Sequence, residues 1–126
     1  MQKEFIATEN APKAVGPYSQ GIAFGNLVFT SGQLPIDPAT GRLTDGCIKD
    51  ATRQVIKNVE AILTQAGSSL ANVVKATVFL KDMKDFAAMN EVYTEFFGEN
   101  LPARTCFQVV KLPLDAPVEI EAIAHR

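Results

Sequence analysis

The chain has 126 residues, 47% of them hydrophobic, with 12 Lys and Arg against 14 Asp and Glu and a formal net charge of −2. This length favours a single domain over 1–126 with a real core, and the acidic balance points away from nucleic acid and lipid headgroups as partners. No apolar run approaches the roughly 20 residues needed to cross a bilayer, and Met1-Gln2-Lys3-Glu4-Phe5-Ile6 lacks the apolar core of a signal peptide, so a cytoplasmic protein without a membrane partner is expected. Cys47 and Cys106 sit in dissimilar contexts without metal-ligand spacing, which reads as reduced thiols and no metal site.

In chain order, residues 3–7 read as a short edge strand and 8–20 as irregular, broken by Asn10, Pro12, Gly16 and Pro17. Within that loop, Gly16-Pro17-Tyr18-Ser19-Gln20-Gly21 sets a phenol and a serine on a segment stiffened by Pro17. Two strands, about 21–25 and 27–32, join at Gly25-Asn26, a dipeptide suited to a tight hairpin. Alternation in the second strand puts Ser31 with Leu27 and Phe29. Residues 33–46 read as a loop. A helix follows over about 47–66, with Ile48, Ala51, Val55, Val59, Ile62, Leu63 and Ala66 as one buried stripe, Asp45 as its cap and Gly67 at its end.

A strand over 72–80 is apolar on one side and carries Lys75 and Thr77 on the other. Asp82 is a cap for a second helix over about 83–97, whose stripe is Phe86, Met89, Tyr93, Phe96 and Phe97, with Gly98 ending it. The strand beginning at Pro102-Ala103-Arg104-Thr105-Cys106 puts Arg104, Cys106 and Gln108 on one face. A linker with Pro113 and Pro117 leads to a last strand, in which Val118, Ile120, Ala122 and Ala124 oppose Glu119, Glu121, Ile123 and His125. The pattern ββ-α-β-α-β-β, with each helix amphipathic on one stripe, predicts an α+β layer: one sheet, both helices on one face. The other sheet face, expected to carry Phe29, Ile123 and Cys106 beside Arg104, Glu119 and Glu121, has no third layer to cover it. Burial against other subunits is the natural solution.

Six residues stand out as candidates for chemistry. Arg104 has two readings: a structural ion pair with Glu119 or Glu121, or a forked clamp for a small carboxylate, favoured by the stiff Pro102 approach and small neighbours. Glu119 on a partly buried face would have a raised pKa suited to a general base, although alternation does not separate it from Glu121. Cys106 reads as an inert small hydrophobe, a nucleophile assisted by Arg104, or a backbone N–H donor to a ligand. Tyr18, Ser31 and Asn90 are each of a type more often structural than functional: Tyr18 on its loop could lid a pocket, Ser31 shares a strand face with large apolar residues, and Asn90, beside the apolar stripe of the second helix, needs a hydrogen-bond partner. The glycines form no phosphate loop.

These residues together, in Gly16-Pro17-Tyr18-Ser19-Gln20, Thr30-Ser31-Gly32-Gln33, Val78-Phe79-Leu80-Lys81-Asp82 with Asn90 beyond it, Pro102-Ala103-Arg104-Thr105-Cys106 and Val118-Glu119-Ile120-Glu121-Ala122-Ile123-Ala124, resemble the Rid (YjgF/RidA) family over essentially the whole chain. The resemblance implies a chorismate-mutase-like α+β fold, assembled as a homotrimer with sheets lining a central barrel and three sites in clefts between subunits. It implies a 2-iminobutanoate/2-iminopropanoate deaminase that uses no cofactor. Its substrates would be 2-imino acids derived from the enamines that PLP-dependent threonine or serine dehydratases release. Arg104 would be the carboxylate clamp and Glu119 the residue that positions water; the Cys106 backbone would be a second donor, and Tyr18, Ser31 and Asn90 would line the pocket. A trimer that binds 2-keto acids without turnover is the alternative. An RNA-cleaving role, also attached to this family, conflicts with the acidic balance.

Overall fold

The computed structural model describes residues 2–126 as eight strands and two α-helices. The strands are β1 (Glu4–Ile6), β2 (Gly21–Phe24), β3 (Leu27–Thr30), β4 (Ile36–Asp37), β5 (Arg42–Leu43), β6 (Val73–Leu80), β7 (Ala103–Gln108) and β8 (Val118–His125). The helices are α1 (Ile48–Gln65) and α2 (Phe86–Phe97). Six strands form one mixed sheet in the order β1-β2-β3-β8-β6-β7, in which only β6 and β7 run parallel. The parallel pair follows from α2, which carries the chain back across one sheet face between them.

Alternation decides which residues meet the helices. Val28, Ala76, Val78, Leu80, Val118, Ile120 and Ala124 are fully buried or nearly so on one face, beneath Val55, Ile56, Val59, Ile62 and Leu63 of α1 and Met89, Val92 and Phe97 of α2. The predicted α+β layer, one main sheet with two helices on one face, therefore stands. On the solvent side, Lys49 pairs with Glu91 and Arg53 with Glu95, joining the two helices. The opposite sheet face is open in the single chain: Phe5, Phe29 and Phe107 remain 71%, 38% and 45% exposed.

Gly25 takes a positive φ of 61° at the β2–β3 turn, as the tight hairpin requires. Gly67, at φ 83°, ends α1: its N–H donates to the Thr64 carbonyl and the Ser68 N–H to the Leu63 carbonyl, the paired bonds of a Schellman stop. Asp45 is not the cap of α1. Gly46 turns the chain at φ 131°, Cys47 occupies the N-cap, and no side chain there accepts a bond. Asp82 accepts from the Lys84 N–H, but that bond closes a 3₁₀ turn over Met83–Asp85, and α2 begins only at Phe86. Residues 33–46 are more than a loop: β4 and β5 pair within them.

At Gly21, α1 approaches the sheet closely. A Cβ there would lie 2.6 Å from Ile62 Cγ2 and 3.2 Å from the Phe29 carbonyl oxygen. Gly21→Ala is therefore expected to cost about 1–3 kcal/mol through overpacking. Thermal denaturation checks this, and an unchanged midpoint would show that the helix can move off the sheet without penalty.

Candidate functional site

The register of β7 on β6 determines where the arginine points. Arg104 pairs with Ala76 and Cys106 with Val78, both of which belong to the helix-covered face. Glu119 pairs with Phe79 and Glu121 with Thr77, on the open face. The expected placement of Arg104 and Cys106 beside Glu119 and Glu121 is thus corrected. Alternation within one strand gives relative facing only, and the pairing register sets the absolute face. It also removes the structural ion pair, because Arg104 makes none among the described residues.

Arg104 instead turns toward α2. Its Nη1 donates to Asn90 Oδ1 at 2.7 Å, and the guanidinium carbon lies over the rings of Tyr93 and Phe86. The partner that Asn90 needed is therefore the arginine. Cys106 follows on the same face, partly buried and packed against the core. Burial pushes its thiol pKa up and the Arg104 charge only opposes this, so the side chain is a thiol at neutral pH.

Tyr18, Ser31 and Glu119 gather elsewhere, around a cleft of about 1040 Å³. The cleft is shaped by buried amides that sequence reasoning passed over. Gln20 Nε2 donates to the carbonyls of Thr8, Ala11 and Pro12, while its Oε1 accepts from the Thr8 N–H, folding the 8–12 segment into one wall. Asn58 Nδ2, from α1, donates to the Leu34 and Ile36 carbonyls and ties down the other wall. Asn58 was detectable as a polar residue three beyond Val55 and four before Ile62, on the buried stripe. Ser31 lies past the end of β3, and its Oγ donates to the Ser19 carbonyl at 2.5 Å.

Gln33 extends the β3–β8 pairing by bonding to Ile120 in both directions. That places Gly32 directly against the Glu119 carboxylate, and a Cβ at Gly32 would collide with Glu119 Oε2. Glu119 is half-buried and has no hydrogen-bond or ion-pair partner among the described residues. Burial, and secondarily the Glu121 charge, raise its pKa above the ordinary carboxylate value. Among the described residues, no group of three or more His, Cys, Asp or Glu could hold a metal, and no helix is long and apolar enough to cross a membrane.

The single chain therefore brings the six candidates together as two sets. Asn90, Arg104 and Cys106 line the α2 side of β7, and Tyr18, Ser31 and Glu119 line the cleft. Together they define a small α+β protein with a guanidinium free of carboxylates and a carboxylate free of cations. Comparison with known proteins identifies the family. Residues 8–126 match the family model described as Endoribonuclease L-PSP. The 2-iminobutanoate/2-iminopropanoate deaminase of Salmonella typhimurium is 51% identical over 124 residues, 96% of each chain. A crystal structure of a Rid-family protein from Yersinia pestis superposes with a TM-score of 0.96 at 44% identity, covering 99% of this chain and 100% of that one. That of E. coli TdcF with bound serine gives 0.94 at 48% identity, covering 98% of each. The chain belongs to the Endoribonuclease L-PSP family, which takes in the Rid (YjgF) proteins.

The raised pKa of Glu119 has a stability consequence. A carboxyl that holds its proton more tightly when folded disfavours the fold once pH exceeds its unfolded pKa. Glu119→Gln is therefore expected to raise the thermal midpoint at pH 7–8. The gain should shrink as pH falls through the carboxylate range, where the wild-type group is protonated too. A pH series of melting curves for the two chains checks this, and a gain independent of pH would contradict the titration.

Proposed function

We propose that the protein hydrolyses 2-imino acids to 2-keto acids and ammonia in a site that two copies of the chain complete. The observation that carries this reading is the division of the site. Arg104 is offered with no carboxylate to neutralise it, and Glu119, on the opposite sheet face, makes no ion pair among the described residues. A 2-imino acid needs both groups within a few ångströms, and a neighbouring copy is the simplest source of the missing one. The open face, with Phe5, Phe29 and Phe107 exposed, is the surface such an assembly would cover. A homotrimer with the sheets lining a central barrel satisfies both demands. The relatives support the chemistry, since one carries the deaminase name and another was crystallised with serine, a small molecule with an α-carboxylate.

The steps follow from the groups. Arg104 holds the substrate carboxylate bidentately. The protonated imine carbon is already electrophilic. Glu119 takes a proton from water as the water oxygen bonds to that carbon, then passes it to the amino nitrogen. The carbinolamine hydroxyl loses its proton to the same carboxylate as the C–N bond breaks, and the departing ammonia takes that proton, leaving as ammonium and restoring the carboxylate. A raised pKa suits Glu119 to both halves of this shuttle. General base assistance is worth about 10²–10⁴-fold and positioning adds to it, enough for imines that already hydrolyse in water. The Cys106 N–H is a further donor to the carboxylate, and its protonated thiol takes no covalent part. A dehydratase that generates enamines would supply the substrate. The formal net charge of −2 offers little surface for the nuclease activity in the family description.

The test is 2-ketobutanoate release from 2-iminobutanoate, generated in situ by a threonine dehydratase against a semicarbazide trap. Wild type should outrun the trap. Arg104→Ala should lose roughly 10²-fold or more, while Cys106→Ser keeps most of the activity. Failure of wild type to beat spontaneous hydrolysis would leave a 2-keto acid binding protein, and inactivity of Cys106→Ser would return the thiol to the mechanism.

A further inference from the structure

We propose that Tyr93, with Phe86, is a positioning residue that holds the Arg104 guanidinium for the substrate carboxylate, an inference that rests on the deaminase reading above. Phe86, Asn90 and Tyr93 are spaced by four and three along α2 and so form a single stripe facing β7. The Arg104 guanidinium carbon lies 4.8 Å from the Tyr93 ring centroid and 5.5 Å from that of Phe86. The Tyr93 ring is itself backed by Phe97, stacked at 4.3 Å between centroids and 28° between planes. Phe97 is 3% exposed and Tyr93 4%, so the platform under the arginine belongs to the packed core.

The Tyr93 hydroxyl is buried and has no hydrogen-bond partner among the described residues. A buried hydroxyl usually finds one. Its ring face, by contrast, is fully used, with Phe97 on one side and Arg104 on the other. The ring is therefore what this position supplies to the arginine.

The choice of partners fits an anion-binding task. Guanidinium has five N–H donors, and a carboxylate partner would hold it firmly while occupying its fork and cancelling its charge. Aromatic faces attract the cation without accepting any of its N–H bonds. Asn90, a neutral amide, takes one N–H at 2.7 Å. Arg104 is thus restrained on three sides by uncharged groups, keeping its full charge and most of its donors for a ligand. The restraint acts equally on bound substrate and on the transition state, because the carboxylate takes no part in the bond changes. Loss of the ring should accordingly appear in KM and leave kcat nearly alone.

Wild type, Tyr93→Phe and Tyr93→Leu are compared in three measurements. These are calorimetric titration with 2-ketobutanoate, deaminase kinetics, and the NMR signal of the Arg104 Nε–Hε group, identified by its absence in Arg104→Lys. Tyr93→Leu is expected to weaken 2-ketobutanoate binding and raise KM by roughly two- to thirtyfold, with kcat within about twofold. Its Arg104 Hε signal should lose the upfield displacement that the ring imposes. Tyr93→Phe should match wild type in all three. A folded Tyr93→Leu chain with wild-type affinity and KM would overturn the inference, as would Tyr93→Phe being as impaired as Tyr93→Leu. Should Tyr93→Leu fail to fold, the more peripheral Phe86→Leu carries the same test with the same two outcomes. If wild type neither binds 2-ketobutanoate nor turns over the imine, the substrate reading falls. The Arg104 Hε signal then still decides whether the ring holds the arginine.

Discussion

The pairing of Arg104 with Ala76 is the constraint on which the rest of the site depends. One residue of slip along β6 would turn the guanidinium to the open face, which Glu119 and Glu121 occupy, where a carboxylate of the same chain could neutralise it. The observed register gives Arg104 to α2 and leaves Glu119 alone. Two groups that would attract within one chain are separated by the thickness of the sheet. Each keeps a property that an ion pair would cancel: an unspent positive charge on one side, and a carboxylate with a raised proton affinity on the other.

Both groups are held by contacts that do not quench them. Arg104 rests on two aromatic rings and an amide. Glu119 rests against Gly32, where the missing side chain makes room for the carboxylate. Gly32 is in place because Gln33 continues the sheet pairing to Ile120, and the cleft walls are in place because Gln20 and Asn58 spend their amides on loop carbonyls. Buried polar side chains that looked like incidental core residues are the scaffold of the site.

Much of this was legible beforehand, and the reasons differ by feature. The helices announced themselves through apolar residues at spacings of three and four, with Gly67 and Gly98 at their ends, and Gly25 marked the hairpin; all three glycines take positive φ. The open sheet face followed from Phe29, Glu119, Glu121 and Ile123 having no encoded third layer. What could not be read was the facing of β7, because period-two alternation is blind to which side a strand presents until its neighbour is known. Asp45 misled as a cap because Gly46 diverts the chain before the helix begins. The aromatic support of Arg104 is not legible in the sequence: Phe86 and Tyr93 fall on the apolar stripe of α2, and nothing in their spacing distinguishes a ring that packs on leucine from one that packs on a guanidinium.

A site divided between copies of the chain is tested most directly by complementation. Arg104→Ala and Glu119→Gln chains, each inactive alone, are unfolded, mixed in equal amounts and refolded together. A divided site predicts recovery of roughly a quarter of wild-type deaminase activity, since adjacent intact halves meet by chance at that frequency. Mixed oligomers, verified by native mass spectrometry, that remain inactive would contradict it, as would full activity in Glu119→Gln alone.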